Sequence, residues 1–488
     1  MGEQPSGMLQ NGLDDATGGS DDESRPPNRT LLDCLQGWAI CLRRTTLQLT
    51  VNFRCSGGPN ARHGQKLKIV IVGAGIAGLS LAGLLGRSGH NVIVLEGAPA
   101  IAEVGAGITC SPNQTRLLTR WGLDGRLRKH TDTLSNVILR RWENGEILGK
   151  APLMPQVEQK HGAPHYVIHR ADLHGALMED AETVAEVRVN SMVVSIDFEK
   201  PSVTLQDGTV VEADLIVGAD GMKSTCRRIM YEKLGLVDKP TPTGDAAFRA
   251  CIPVEKVTDP DLREFVTNPL ATRWMGGGCH IQGYPIRHGR LYNLVMCHPD
   301  PGFTEESWTT KASKQDILNQ FGSWDGQYLR RLVDLIPEDN VLVWHLCVHD
   351  PLPTWVMGKV VLLGDSCHPM LPYVAQGGAQ ALEDVAVLHL ALDQLSTIDD
   401  LPVYLKAYEY ARKPRAEHIM SIAGVNRDVL HLPDGPEQQE RDRKFAAVAQ
   451  GGENPDLLGH AEIQRYLWGH DPEKEYLDNA ECRCLFFC

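Results

Sequence analysis

Basic residues are in short supply, with 48 Lys and Arg against 62 Asp and Glu, a net charge of -14. That sign is wrong for a surface that neutralises a phosphate backbone, so no nucleic-acid partner is expected. Paired cysteines are lacking too. Thirteen cysteines, an odd number scattered from Cys34 to Cys488, form no evenly spaced framework, and no two have the C-x-x-C spacing of thiol redox or zinc-ribbon sites. They read as mostly free thiols in a reducing compartment, hence a cytoplasmic chain. Cys484 is followed by four residues, which excludes a prenylation signal. No internal repeat is visible. One uncharged, largely apolar run, Ile69 to Gly86, is 18 residues long and reaches the threshold for a membrane span.

The balance that remains is globular, and 488 residues allow two or three domains. Residues 1–66 stand apart. Met1 to Asn28 is rich in Gly, Ser, Asp and Pro and too poor in apolar residues to offset the entropy of ordering, so this extension is expected to be disordered, with a short helix over Leu31 to Leu42. From Leu67 the pattern becomes regular. Leu67 to Val72 reads as a buried strand, Gly73 to Gly78 as a glycine turn, Leu79 to Arg87 as a helix and Asn91 to Leu95 as a second strand. This βαβ opening accounts for the 18-residue run without lipid, because strands of a parallel sheet are apolar on both faces.

Further on, Asp207-Gly208 marks a hairpin, and Ala246 to Leu346 is rich in short β-type runs. Lys359 to Leu363 returns to the buried parallel-strand pattern before a helix over Ala379 to Leu395. The fold class expected is α/β: a Rossmann-like domain (67–240 and 350–430) interleaved with a mixed-sheet subdomain (241–349), then a C-terminal helix and tail (431–488).

Three motifs carry the chemistry. Gly73-Ala-Gly75-Ile-Ala-Gly78 follows a strand and opens a helix, and Glu96 ends the next strand 23 residues beyond Gly73. Gly73 permits the turn, Gly75 lets a pyrophosphate approach the backbone, Gly78 allows helix and strand to pack closely, and Glu96 suits a ribose hydroxyl. The second motif, Asp214 to Arg228, contains Asp220-Gly221, which on its own is an ordinary turn. In the third, Lys359 to Glu383, a strand ends at Gly364-Asp365 and Gly377-Gly378 opens a long helix. A carboxylate beside a helix N-terminus suits a polyol chain and an electron-accepting ring, although Asp365 serves equally as a cap.

Taken in order, GxGxxG, GADGxxS and GDSxHPMxPxxAQGGxQAxED resemble the FAD-dependent aromatic hydroxylases, in particular the salicylate hydroxylase-like monooxygenases, from about Leu67 to about Glu475. The resemblance implies that Glu96 binds the ribose of the FAD adenosine, that Gly107 and Arg170 lie against the cofactor, that Asp220 serves FAD and the nicotinamide coenzyme, that Asp365 holds the ribityl chain, and that Gly377 and Gly378 line the flavin ring. It also implies a substrate site in the mixed-sheet subdomain, with Arg249 and Tyr284 placing a phenolate. Read as residues alone, these two serve equally as a strand-edge charge and a core aromatic.

The activity so implied is NAD(P)H- and O2-dependent hydroxylation of a small phenol or aromatic acid through a flavin C4a-hydroperoxide, with dearomatisation or decarboxylation as variants, in secondary metabolism or aromatic catabolism. With one dinucleotide fingerprint, NADPH or NADH is expected to bind transiently, without its own Rossmann domain. Neither a metal nor a transmembrane segment is expected, and the chain is expected to be a monomer or homodimer. His368 reads as a positioning residue, and Arg116 as either a cofactor contact or a solvated charge. The alternatives are an isoprenoid epoxidase of the same fold and a non-catalytic FAD-fold binding protein.

Overall fold

The computed structural model describes residues 65–100, 106–300, 302, 310–338 and 341–479. The extension up to residue 64, with its expected disorder and short helix, lies outside them. Lys68–Val72 forms the centre of a six-stranded sheet because four consecutive aliphatic residues are buried on both faces. Across that sheet the order is Val356–Met357, Val360–Leu362, Leu215–Gly218, Lys68–Val72, Asn91–Leu95, Glu186–Arg188. All pairings are parallel except the edge hairpin of Val356–Met357 with Val360–Leu362. The 18-residue apolar run is therefore a strand, a glycine turn and the helix Ile76–Arg87. No helix among the described residues is long and apolar enough to cross a membrane.

The second sheet has eight strands, in the order Thr310–Lys311, Leu342–Val348, Thr241–Pro253, Leu291–Pro299, Cys279–Ile286, Leu270–Gly276, Asn136–Arg141, Ile147–Pro152. It draws its last two strands from the first half of the chain, through parallel pairing of Asn136–Arg141 with Leu270–Gly276. Alternation along these strands divides their side chains between two cores. Phe248, Ala250, Ile252, Tyr292 and Leu294 pack with Leu262, Phe321 and Leu332 on one face. On the other, Ala247, Cys251, Tyr284 and Cys297 face Ile419, Ile422 and Leu430 of the 30-residue helix Leu401–Leu430. Three further helices, Pro436–Ala447, Ala461–Trp468 and Pro472–Asp478, follow it. Gly208, at φ +88°, turns the expected hairpin between Ser202–Leu205 and Val210–Glu212. The seven described cysteines are all free and buried.

Candidate active site

The three glycines of the first motif have different jobs. A Cβ on Gly73, at φ +105°, would lie 2.9 Å from the Asp220 Cα, and one on Gly78 would run into the Gly73 carbonyl. Both are demanded by packing. At Gly75 a Cβ would meet nothing within 4 Å, and the residue faces a cavity. Gly75 also heads the helix Ile76–Arg87 with no side-chain cap, which leaves first-turn N–H groups for an anion. Glu96 is held beside this turn, accepting from the Ala74 N–H (3.0 Å) and the Ala98 N–H (2.9 Å).

Asp220 does not line the cavity. Its carboxylate accepts from Ser224 Oγ (2.5 Å) and the Cys226 N–H (3.0 Å), so it holds the turn that delivers Gly221 and Met222 to the cavity wall. Asp365 does line it, on a backbone bent by Gly364 at φ +65°. Burial raises its carboxyl above the ordinary range, against the pull of His368 and Arg170. Gly377 and Gly378 open the helix Gly377–Asp393 at the same wall. A Cβ on Gly377 would meet only Met370 Cγ at 3.8 Å, and one on Gly378 would make ordinary contacts with Ile108 Cδ1 at 3.5 Å and the Gln114 amide at 3.9 Å. Gly75 and Gly377 are thus bare where neither a close protein neighbour nor the backbone conformation requires it, around a buried carboxylate and two uncapped helix starts. This donor set and this open cradle fit a dinucleotide with a polyol chain.

Behind the cradle lies a buried charge network. Glu383 accepts from Arg412 Nη1 (2.6 Å), Arg415 Nε (2.7 Å) and Asn113 Nδ2 (2.7 Å). Asp384 accepts from Arg412 Nε (2.8 Å), the Gly364 N–H (3.0 Å) and His368 Nε2 (2.5 Å). His368 therefore positions the Asp365 loop. Burial opposes its protonation, but Asp384 outweighs burial and raises its pKa. Arg227 donates to the Asp365 and Ser366 carbonyls (3.4 and 3.3 Å), tying that loop to the Asp220 turn. Sequence reasoning missed this network, whose one visible signal is the adjacent acids Glu383-Asp384 inside an apolar helix. Arg116 is neither cofactor contact nor solvated charge: it donates to the carbonyls of His161 (2.6 Å), Trp468 (3.2 Å) and His470 (2.7 Å), pinning the C-terminal segment.

The same cavity, about 590 Å³, reaches the second sheet. Register puts Arg249 opposite Val295, Val295 opposite Gln282 and Gln282 opposite Arg273, one rung across four strands. On the next rung of that face Tyr284 pairs with Asn293 and Asn293 with Cys251. The Arg249 guanidinium lies over the Trp344 ring at 4.0 Å, and its Nε has no hydrogen-bond partner. Tyr284 is 5% exposed; burial pushes its pKa up to about 12, with Arg249 and a hydrogen bond from Thr109 opposing. Gly107 seals the contact, since a Cβ would lie 2.8 Å from Tyr284 Cε2 and its N–H donates to Asn293 Oδ1 (2.7 Å). Arg170 lines the same cavity, where burial and then Arg249 lower its pKa and Asp365 raises it. The cavity thus brings Gly75, Gly107, Arg170, Arg249, Tyr284, Asp365, Gly377 and Gly378 together, whereas Gly73, Gly78, Glu96 and Asp220 support its wall from outside.

Comparison with known proteins agrees with this geometry. The family model described as "FAD binding domain" matches residues 66–423. The FAD-dependent monooxygenase atnJ of Arthrinium sp is 38% identical over 412 residues, covering 83% of this chain and 94% of the relative. The 3-amino-4-hydroxybenzoate 2-monooxygenase of Streptomyces cremeus is 36% identical, covering 78% and 92%. A solved salicylate hydroxylase substrate complex superposes with a TM-score of 0.69 at 24% identity, covering 84% and 97%.

Proposed function

As the chain belongs to the FAD-binding-domain family and is an FAD-dependent monooxygenase of the aromatic hydroxylase type, we propose that it hydroxylates a phenol held as its phenolate by Arg249 and Tyr284. One observation carries this reading: Arg249 is a cation facing the cavity with a ring on one side and no carboxylate partner among the described residues. A free phenol ionises near a pKa of about 10. A guanidinium next to it favours the phenolate and so enriches the ring in electrons. With its own pKa raised to about 12, Tyr284 stays protonated at neutral pH and donates its O–H to the same oxygen.

Bound FAD, reduced by NADPH or NADH, supplies the oxygen-transfer chemistry with O2. Gly75 and the helix start behind it receive its pyrophosphate, Glu96 its adenosine ribose, and Asp365 with Arg170 its central chain. Gly107, Gly377 and Gly378 would border its ring, and Leu458, Gly459 and Trp468, from the segment after the helix Leu401–Leu430, line the same cavity and would help to exclude water. The nicotinamide coenzyme binds transiently past the turn that Asp220 supports. We place the reaction in the cytoplasm, supported by the seven free cysteines. The test is substrate-stimulated NAD(P)H consumption with a panel of phenols and terpenoid alkenes, in wild type and Arg249→Ala. Loss of hydroxylation with substrate-independent NAD(P)H oxidation retained supports the reading. Alkene turnover without phenol turnover overturns it in favour of an epoxidase.

A further inference from the structure

We propose that Asp245 and Tyr373 are positioning residues that hold the loop bearing the flavin face against the strand of Arg249, and so fix the gap in which the substrate sits. This rests on the reading that the flavin ring borders Gly377 and Gly378.

The loop 367–376 joins the Asp365 turn to that helix start, and its residues Met370 to Ala375 form one wall of the cavity. Ala375 sits at φ +48°. A left-handed backbone is disfavoured about 5- to 30-fold for a residue with a Cβ, so the loop keeps this shape only if it is held on both sides. On the helix side, Gln376 donates to Ser111 Oγ (3.0 Å) and accepts from Asn113 Nδ2 (3.0 Å). On the other side the holder is Tyr373. Its O–H donates to Asp245 Oδ2 (2.5 Å), and its carbonyl accepts from Asn426 Nδ2 (2.8 Å).

Asp245 belongs to the opposite wall. It lies on the strand Thr241–Pro253, four residues before Arg249, and alternation puts both on the face of Ala247. Asp245 is 1% exposed, and Arg427 donates to both of its oxygens, through Nε and Nη2. The carboxylate is thus fixed independently of the loop. Burial first, with Asp245 among the causes after it, raises the Tyr373 pKa far above the ordinary phenol range, so Tyr373 stays a donor at working pH. Neither Asp245 nor Arg427 lines the cavity, and both reach it through Tyr373, whose ring does. Buried charge pairs are often no more stabilising than apolar side chains of the same size. What this bond adds is a fixed distance between the wall that carries Arg249 and the wall that borders the flavin.

The test compares wild type, Tyr373→Phe, Asp245→Ala and the double variant, each loaded with FAD, by visible circular dichroism, iodide quenching of flavin fluorescence and the FAD dissociation constant. Tyr373→Phe keeps the ring and leaves Asp245 to Arg427, so it should fold. Its dissociation constant should rise about tenfold or more, the worth of one hydrogen bond to a carboxylate, with stronger quenching and an altered dichroism. The double variant should be no worse than Asp245→Ala, because the two residues act through one bond. A lower melting temperature with flavin signals and affinity at wild-type values overturns the inference, and so do additive effects in the double variant. Gly377→Ala separates this inference from the reading beneath it, since it puts a methyl where the ring is read to lie. Altered flavin signals in Gly377→Ala alone overturn the inference and leave the flavin placement standing. Unchanged signals in every variant overturn the placement too. If Asp245→Ala does not fold, Tyr373→Phe decides.

Discussion

Arg249 holds its guanidinium carbon 4.0 Å from the centre of the Trp344 ring. Trp344 lies opposite Ala247 in the neighbouring strand, on the same face of the sheet as Arg249. The indole thus fixes the plane of the cation before any ligand arrives, at a site where an arginine would otherwise lose side-chain entropy on binding.

Trp344→Leu should keep the fold and the flavin while loosening that plane. A buried cation–π contact is worth up to about 2 kcal/mol, so kcat/KM for the phenol should fall up to about 30-fold, with more NAD(P)H consumed per product formed. Steady-state kinetics with product quantification reads both. Unchanged coupling would mean that the indole only fills space.

The two kinds of glycine should separate experimentally. Gly78→Ala drives a methyl into the Gly73 carbonyl and should lower the melting temperature or prevent soluble expression. A Cβ at Gly75 meets no protein atom within 4 Å, so Gly75→Val should fold normally yet purify with little flavin. Circular dichroism with flavin absorbance distinguishes them, and equal stability losses would refute the division.

Asp365→Ala removes the buried carboxylate of the cradle and should reduce retained FAD by about tenfold or more after gel filtration, one lost charge-assisted hydrogen bond being worth roughly 1.5–3 kcal/mol. Flavin content equal to wild type would take Asp365 out of the site.

Glu383 separates two arginines that would otherwise repel in a dry interior. Glu383→Gln should cost about 3–5 kcal/mol, the usual penalty for leaving a buried ion without its partner, read as a shift in chemical denaturation. Burial alone would raise its pKa, but Arg415, His470 and Arg412 hold it below the ordinary carboxylate range. Its contribution is thus complete above the unfolded pKa near 4 and is lost as pH falls below that toward the folded value. The stability gap between variant and wild type should therefore be constant above about pH 4 and narrow progressively below it; a gap that stays constant there would take the credit away from Glu383.

How much of this was legible depends on range. The glycine turn, Glu96, Asp365 and the Gly377-Gly378 helix start are local features, and each was readable because one short stretch of backbone decides its conformation. Arg249 and Tyr284 were found only through the family resemblance, since their shared face depends on a register between strands that sequence alone does not display. Arg273 with Asp456 was invisible, because no periodicity links residues 183 apart. Arg116 illustrates the same limit: its partners are carbonyls, and backbone carbonyls leave no trace in residue identity.

The central sheet places Val360–Leu362 beside Leu215–Gly218, and the helix Gly377–Asp393 follows after the loop that carries Asp365. On the ribosome the first glycine turn emerges early, but the wall opposite it waits until the chain has passed residue 378. Until then Leu215–Gly218 is an open apolar edge, the kind of surface on which nascent chains aggregate. Flavin capture is thus a late event in biosynthesis. A nascent chain arrested before residue 360 should hold no FAD, whereas one arrested after the helix Leu401–Leu430 has cleared the exit tunnel should.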